Sequence, residues 1–294
     1  MSIKLLGKQS LIYGFGHVIT RLVTFLLLPL YTNQFTPEQY GVVALFYTFV
    51  PLLNIVMRYG LGAAFLKNYV PANSEERLSI MTNVIVSLII SGLPFLAIFY
   101  FFRLDLSYIL FGVVKPSYVV MMGVIVFFDT IWSIPMLAFR AENRPRLFIS
   151  LSLLNVGITL LCNLLFIIIL KMSIGSIFLS NLIASSFLFI LVIPFIIKRS
   201  KIASLSLTKW KHIISFAFPF IPAGLFAMAM EVADRYILKL LTINYYYLIL
   251  MIRIRKGDHT FFQEKCHDVF FNKLLFDIRA IVPNCPKKLH LFIT

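Results

Sequence analysis

The fold is decided by the stretch from Ser117 to Phe139, which reads SYVVMMGVIVFFDTIWSIPMLAF and contains one charged residue, Asp129. A run of about 20 apolar residues is long enough to cross the ~30 Å hydrocarbon core of a bilayer as a helix. A helix is favoured there because it satisfies its backbone polar groups without water. The stretch therefore predicts a transmembrane helix.

Six further stretches have the same length and character. The seven predicted transmembrane helices occupy approximately residues 11–31, 41–66, 80–102, 117–139, 147–170, 174–197 and 213–240. The composition agrees, because 60% of the residues are hydrophobic and 13% are charged, whereas a soluble domain has roughly 25% charged residues. The connections are short, so we predict an all-α integral membrane protein in which residues 1–241 form one transmembrane region.

The sequence carries no recognisable catalytic motif. It has no HExxH helix, Gly-rich phosphate loop or nucleophile elbow, and its three cysteines lack metal-type spacing. No loop is large enough to carry a substrate domain, which disfavours an integral-membrane enzyme. We therefore expect no enzyme, no cofactor and no metal site.

The formal net charge of +15 is explained by the position of the basic residues. If the N-terminus is cytoplasmic, most of the lysines and arginines between the helices fall on the inner side, as the positive-inside rule requires. Segments of this kind bind anionic lipid headgroups. We predict a multi-pass protein of the cytoplasmic membrane with a cytoplasmic N-terminus, in contact with the lipid bilayer and not with nucleic acid.

Six ionisable residues fall inside predicted helices: Arg21, Arg58, Asp129, Glu231, Asp234 and Arg235. A charge near the bilayer centre costs about 2.5 to 3.5 kcal/mol on insertion scales, so it needs a partner or a water-filled cavity. At ~1.5 Å of rise per residue, Arg21, Arg58 and Asp129 lie roughly 12 to 15 Å from the cytoplasmic ends of three helices. These three residues are therefore expected to share one level.

Two interpretations of this level remain open. Asp129 can neutralise one arginine in a buried pair that only fixes helix packing. Alternatively, Arg21 and Arg58 line a hydrated cavity for an anionic substrate, because the arginine fork donates bidentate hydrogen bonds to phosphate.

The polar residues of the last helix lie near the outer face, where Glu231 and Arg235 are spaced for a local ion pair. Pro219 and Pro222 should kink that helix.

Six short motifs follow one another along residues 1–241. They are RLVTFLLLPLY at 21–31, FTPEQYG at 35–41, RYGLG at 58–62, RAENR at 140–144, FPFIP at 218–222 and DRYIL at 234–238. In this order they resemble the bacterial polysaccharide biosynthesis flippases, the Wzx-type exporters of O-antigen and capsule repeat units.

The resemblance implies a fold, an activity and partners. Flippases of this kind are similar to multidrug and toxin extrusion (MATE) transporters, with two lobes facing a central cavity, and this chain would supply the N-terminal six-helix lobe and the first helix of the second. The implied substrate is an undecaprenyl-pyrophosphate-linked oligosaccharide, moved by alternating access, with a polysaccharide polymerase and a chain-length regulator as partners. Arg21 and Arg58 would hold the substrate, and Asp129 would be an ion-coupling residue or the counter-charge.

The apolar pattern ends after Leu241. Residues 242–294 carry eight Lys or Arg against four acidic residues and contain no stretch long enough to span a membrane. We hypothesise that this tail is out-of-frame translation and that the chain alone does not transport; the alternative is a genuine short extramembrane tail.

Two other functions are compatible with the sequence. A cation-coupled multidrug exporter of the same fold would favour acidic cavity residues, whereas arginines outnumber acids at the shared level here. A non-transporting scaffold or receptor would be complete with seven helices. Neighbouring genes for glycosyltransferases and a polymerase would favour the flippase.

Overall fold

A computed structural model describes Leu27, Leu30, Tyr31 and residues 33–201 and 204–230. Within these residues the regular structure is helical, and no strand is present. The prediction of a helix over 11–31 falls almost entirely outside them. Four predicted site residues, Arg21, Glu231, Asp234 and Arg235, and the tail 242–294 also lie outside the described residues.

After a helical stretch of which Leu27, Leu30, Tyr31 and residues 33–34 are described, the described residues form nine helices that we number in chain order. They are α1 Pro37–Arg58, α2 Leu61–Tyr69, α3 Ser74–Phe101, α4 Arg103–Phe111, α5 Pro116–Ala141, α6 Pro145–Leu164, α7 Gly175–Lys198, α8 Leu207–Ala217 and α9 at residues 220–230. A π-helical turn, Leu165–Ile169, extends α6. The helices described here belong to a compact unit that ends at Met228, apart from the last two residues of α9.

Six stretches of the described chain are long and apolar enough to cross a membrane. They are Glu38–Arg58, Ser74–Phe101, Pro116–Ala141, Pro145–Ile169, Gly175–Lys198 and Leu207–Met230. Each overlaps one of the predicted helices; the first predicted helix lies outside the described residues except for Leu27, Leu30 and Tyr31, which are helical. The all-α membrane fold is therefore confirmed.

The second predicted helix is corrected by the structure. The Thr36 hydroxyl accepts from the Gln39 amide and the Gln39 side chain accepts from the Thr36 amide, so a capping box starts α1. The chain then leaves the helix at Tyr59, with φ 32°, and at Gly60, with φ 79°. A Cβ atom at Gly60 would collide with the Ala217 carbonyl. The single helix over 41–66 is wrong, because this backbone turn divides it into α1 and α2.

The last predicted span is also interrupted. α8 ends at Ala217, residues 218 and 219 form a turn, and the chain is helical again from 220. Pro219 has no backbone N–H to donate and therefore cannot continue the hydrogen-bond ladder of α8. The predicted kink is confirmed at this proline.

Helix α5 lies at the centre of the lobe and packs against α1, α3, α4 and α7. One apolar cluster joins α1, α5 and α7, where the Phe178 ring lies 4.3 Å from that of Phe46 and 4.4 Å from that of Tyr118. A second cluster, which includes Phe65 and Met81, joins α2, α3 and α5. Burial of these large side chains fixes the helices whose polar residues form the sites described next.

Helix α6 differs from α5 because its large apolar side chains are exposed and not buried. The exposed large apolar residues of α6 and of the π-helical turn that extends it include Leu154, Leu161, Leu165 and Ile168. A contiguous apolar surface of this kind is unfavourable in water and is typical of a lipid-facing helix. The lobe is thus apolar inside and outside, which makes its buried polar residues informative.

Candidate functional site

A buried polar cluster lies where α1, α5 and α7 meet. The Asp129 carboxylate on α5 accepts two hydrogen bonds at Oδ1, from Ser185 Oγ at 2.6 Å and from Trp132 Nε1 at 2.9 Å. Ser185 belongs to α7 and is 4% exposed, so the first bond ties two helices together inside the lobe. A hydrogen bond to an ionised acceptor is stronger than a neutral one. We use the name Asp129 cluster for the group formed by Asn54, Arg58, Asp129, Thr130, Trp132 and Ser185.

Helix α1 contributes Asn54 to the same cluster. Thr130 Oγ1 donates to Asn54 Oδ1 at 3.1 Å, and Asn54 Nδ2 donates to the Val50 carbonyl at 3.1 Å. Thr130 and Asn54 are both buried, so these bonds satisfy polar groups that have no access to water.

Arg58 is the second charged member of the cluster. It lies one helical turn after Asn54, and its charge and that of Asp129 are close enough to interact. No described carboxylate lies within 4.0 Å of its nitrogens, however. Its Nε is buried and has no hydrogen-bond partner among the described residues. Asp129 therefore lies near Arg58 without occupying its donors.

The structure thus brings together two of the predicted site residues, Arg58 and Asp129. Arg58 is the last residue of α1 instead of lying eight residues inside a longer helix, and the common depth of Arg58 and Asp129 stays a prediction. Whether Arg21 shares their level stays a prediction, since it lies outside the described residues. The same holds for the polar group of Glu231, Asp234 and Arg235.

Sequence reasoning missed the neutral members of the cluster. Asn54 could have been found, because it precedes Arg58 by four residues and so shares a face of the helix. Thr130 follows Asp129 directly. Ser185 gave no signal, because serine is common in transmembrane helices and the 56 residues that separate it from Asp129 hide the contact.

A second polar group lies at the ends of the helices, around Glu142. Tyr69 Oη, at the end of α2, donates to Glu142 Oε1 at 2.8 Å, and Arg199 Nη1, after α7, donates to Tyr69 Oη at 3.1 Å. Arg199 also forms an ion pair with Glu142, whose side chain is 9% exposed. Arg144 Nε lies 3.3 Å from Glu142 Oε2. Glu142 and Arg144 belong to the RAENR motif, yet the motif alone did not predict this site.

No group of His, Cys, Asp and Glu suited to hold a metal ion occurs in the part of the chain that the structure describes. The polar chemistry available in these two groups is therefore that of arginine donors, two carboxylates, hydroxyls and amides. Such groups bind and orient an anion by hydrogen bonds and charge.

The helical lobe, its lipid-facing surface and its buried charged cluster together define a multi-pass membrane protein. The sequence profile of the family described as polysaccharide biosynthesis protein matches residues 6–257. The chain belongs to this family. The match continues past Leu241, while the boundary at 241 and the out-of-frame origin of the tail stay predictions.

Two solved structures have the same fold. One is a transporter of the MOP superfamily from Pyrococcus furiosus, for which a reversed polarity of the binding pocket suggests a different function; it is 14% identical, with a TM-score of 0.58 over 76% of this chain and 52% of that one. The other is a multidrug resistance MATE family transporter in an outward-facing conformation, 15% identical, with a TM-score of 0.59 over 79% of this chain and 54% of that one.

The chain spans about half the length of these solved transporters. At such identities the likeness shows the fold alone, and it confirms the MATE-like lobe that the sequence predicted. No curated protein resembles the chain closely enough to count as a match.

Proposed function

We propose that the chain forms one lobe of a flippase that moves undecaprenyl-pyrophosphate-linked oligosaccharides across the bacterial cytoplasmic membrane for surface polysaccharide assembly. Membership of the polysaccharide biosynthesis family supports the pathway, and the MATE-like fold supports alternating access between two lobes. In this proposal the N-terminus is cytoplasmic, and the polymerase and chain-length regulator act beside the flippase.

Arg58 is the observation that carries the proposal. Its guanidinium lies within reach of the charge of Asp129, and none of its nitrogens forms an ion pair with a described carboxylate. An arginine in such a setting retains donors for an incoming phosphate oxygen, and its planar fork matches phosphate geometry. Arg58 therefore binds the pyrophosphate, together with Arg21 if the first helix places that residue at the same level.

Asp129 has a supporting role in this proposal. A lone buried arginine would be costly in hydrocarbon, and a carboxylate that interacts without direct contact reduces the cost. Asp129 is itself fixed by Ser185 and Trp132 and so keeps its distance from Arg58. Asp129 has one of two roles. It is either a permanent counter-charge to Arg58 or an ion-coupling residue, whose protonation removes the negative charge beside Arg58.

Binding by the 294-residue chain in lipid nanodiscs tests the substrate class. We expect an undecaprenyl-pyrophosphate-linked oligosaccharide to bind and Arg58→Gln to weaken binding about tenfold, the effect of losing one charge-assisted hydrogen bond. Arg103→Gln is the matched control, since Arg103 contacts Tyr100 and lies outside the cluster. Binding of a cationic dye such as ethidium in place of the glycan would favour a multidrug exporter, and binding of neither would contradict a substrate site in this lobe.

Complementation of a bacterial strain that lacks its own flippase tests transport. The 294-residue chain is expected not to restore surface polysaccharide, because alternating access needs two lobes that move about a shared site. A version in which a second lobe continues the reading frame after codon 241 is expected to restore it. Rescue by the 294-residue chain alone would contradict the proposed need for a second lobe.

A further inference from the structure

The arginines around Glu142 line a cavity at the ends of the helices. The cavity has a volume of about 600 Å³, and its polar lining is Ser74, Arg77, Glu142, Asn143, Arg144 and Arg199, with Tyr69 beside them. A volume of this size is within the range of small-molecule sites, about 300 to 1,000 Å³. We call it the arginine cavity.

The charge of the lining favours an anion. Three arginines against one glutamate leave a formal charge of +2. Arg77 forms no ion pair with a described carboxylate, because Glu142 pairs with Arg144 and Arg199. A phosphate group carries about −1.5 to −2 charge at neutral pH, which matches this excess.

Two of the three arginines are held in place before any ligand binds. Arg77 Nε and Nη2 donate to the carbonyls of Tyr69 and Val70, both at 3.2 Å, at the end of α2. Arg199 is held by Glu142 and Tyr69 and lies over the Phe195 ring at 4.6 Å. A fixed donor loses little conformational freedom on binding, so preorganisation of this kind increases affinity.

Donors remain available after these contacts are counted. Arg77 Nη1, Arg199 Nη2 and both terminal nitrogens of Arg144 make no hydrogen bond to a described residue. Arg144, whose side chain is 51% exposed, has the freedom to close over a ligand. It is also the N-cap of α6, which has no side-chain capping bond, so the positive end of that helix lies next to the cavity.

We propose that the arginine cavity binds a phosphate-bearing anion, a phosphomonoester or a diphosphate, through Arg77, Arg144 and Arg199. Glu142 and Tyr69 position Arg199 and do not contact the ligand. The site goes beyond the proposed transport function, because it lies at the loop ends of α2, α5 and α7. Glu142 follows Asp129 by 13 residues, or roughly 20 Å of helix. The phosphate belongs either to a soluble anion or to the headgroup of a membrane lipid.

Equilibrium dialysis of radiolabelled pyrophosphate against the 294-residue chain in neutral detergent tests the site. We expect saturable binding that Arg144→Gln weakens about tenfold and that Arg77→Gln weakens by a similar factor. Arg144 is half-exposed, so its replacement leaves the fold intact even if Arg77→Gln does not. Arg103→Gln, with the same change in net charge outside the cavity, is expected to bind as the wild type.

The source of the phosphate is distinguished in nanodiscs. If a phospholipid with a phosphomonoester headgroup, phosphatidic acid, occupies the cavity, nanodiscs containing it will reduce pyrophosphate binding relative to phosphatidylcholine nanodiscs, whose headgroup is a phosphodiester, and Arg144→Gln will abolish the difference. If the natural ligand is soluble, both nanodiscs will bind pyrophosphate equally. Either result supports the site.

Three results would overturn the proposal. They are no saturable binding of pyrophosphate, equal weakening by Arg103→Gln and Arg144→Gln, and loss of binding in Arg58→Gln with Arg144→Gln unchanged. The third would assign the pyrophosphate to the Asp129 cluster, so the arginine cavity would fail while the proposed function stood. Weakening by Arg144→Gln without an effect of Arg58→Gln would support the cavity independently of transport.

Discussion

Tyr69 and Glu142 lie 73 positions apart in the chain, and the Tyr69 hydroxyl donates a 2.8 Å hydrogen bond to the Glu142 carboxylate. The tyrosine is 1% exposed and ends a helix of nine residues, α2, while Glu142 directly follows α5. The bond therefore fixes the short α2 to the central helix of the lobe. Because Arg199 also donates to the tyrosine oxygen, α7 is held at the same point.

Tyr69→Phe is expected to lower the stability of the lobe by about 1 to 3 kcal/mol, because a buried carboxylate loses one of its donors. The melting temperature of the protein in detergent, followed by tryptophan fluorescence, measures the effect. Tyr108→Phe is the control, since Tyr108 is 66% exposed. Equal melting temperatures for the two variants would contradict a stabilising role of the Tyr69–Glu142 bond.

Gly60→Ala is expected to destabilise the protein by more than about 1 kcal/mol. The residue has φ 79°, and its added Cβ would collide with the carbonyl of Ala217. Gly41→Ala is the matched control, because nothing lies within 4 Å of its Cβ position in α1, and replacing a helical glycine by alanine gains up to about 1 kcal/mol. The two variants should therefore shift the melting temperature in opposite directions.

Ser185→Ala is expected to cost about 1.5 to 3 kcal/mol, since it removes the 2.6 Å hydrogen bond to the Asp129 carboxylate. Ser152→Ala, whose hydroxyl donates only to the Phe148 carbonyl of its own helix, should change stability by much less. The melting temperatures of the two variants in detergent measure this difference in stability. A small effect at Ser185 would mean that the α5–α7 contact depends on apolar packing alone.

A double-mutant cycle on Arg58 and Asp129 separates their two proposed roles. Asp129→Asn leaves the arginine charge without compensation, so it should destabilise the protein more than Arg58→Gln/Asp129→Asn does. The expected coupling is about 0.5 to 3 kcal/mol. If the exchange Arg58→Asp/Asp129→Arg restores both stability and glycan binding, the pair serves packing only; restored stability without binding would support Arg58 as a ligand of the substrate.

The spans could be predicted from the sequence because length and hydrophobicity alone determine which segments cross a bilayer. The break at Tyr59–Gly60 could not, since the apolar pattern continues through Leu61 to Leu66 and hides it. What requires glycine there is contact with Ala217, which is distant in the chain.

The sites were predictable to different degrees. Arg58 and Asp129 were found because a charge within a span is costly and therefore informative. The arginine cavity was not, because arginines at helix ends are expected from the positive-inside rule whether or not they bind a ligand. Only the structure shows that Arg77, Arg144 and Arg199 converge on one space.

The contact of Gly60 with Ala217 joins two interruptions, the turn between α1 and α2 and the turn between α8 and α9. Beyond it, the Cβ position of Gly224 in α9 lies 2.8 Å from the Ile55 side chain of α1, so α9 follows α1 closely. α2 and α8, in turn, pack against each other. The four segments therefore meet at one point, so a side chain added at Gly60 or at Gly224 would disturb both helix breaks at once.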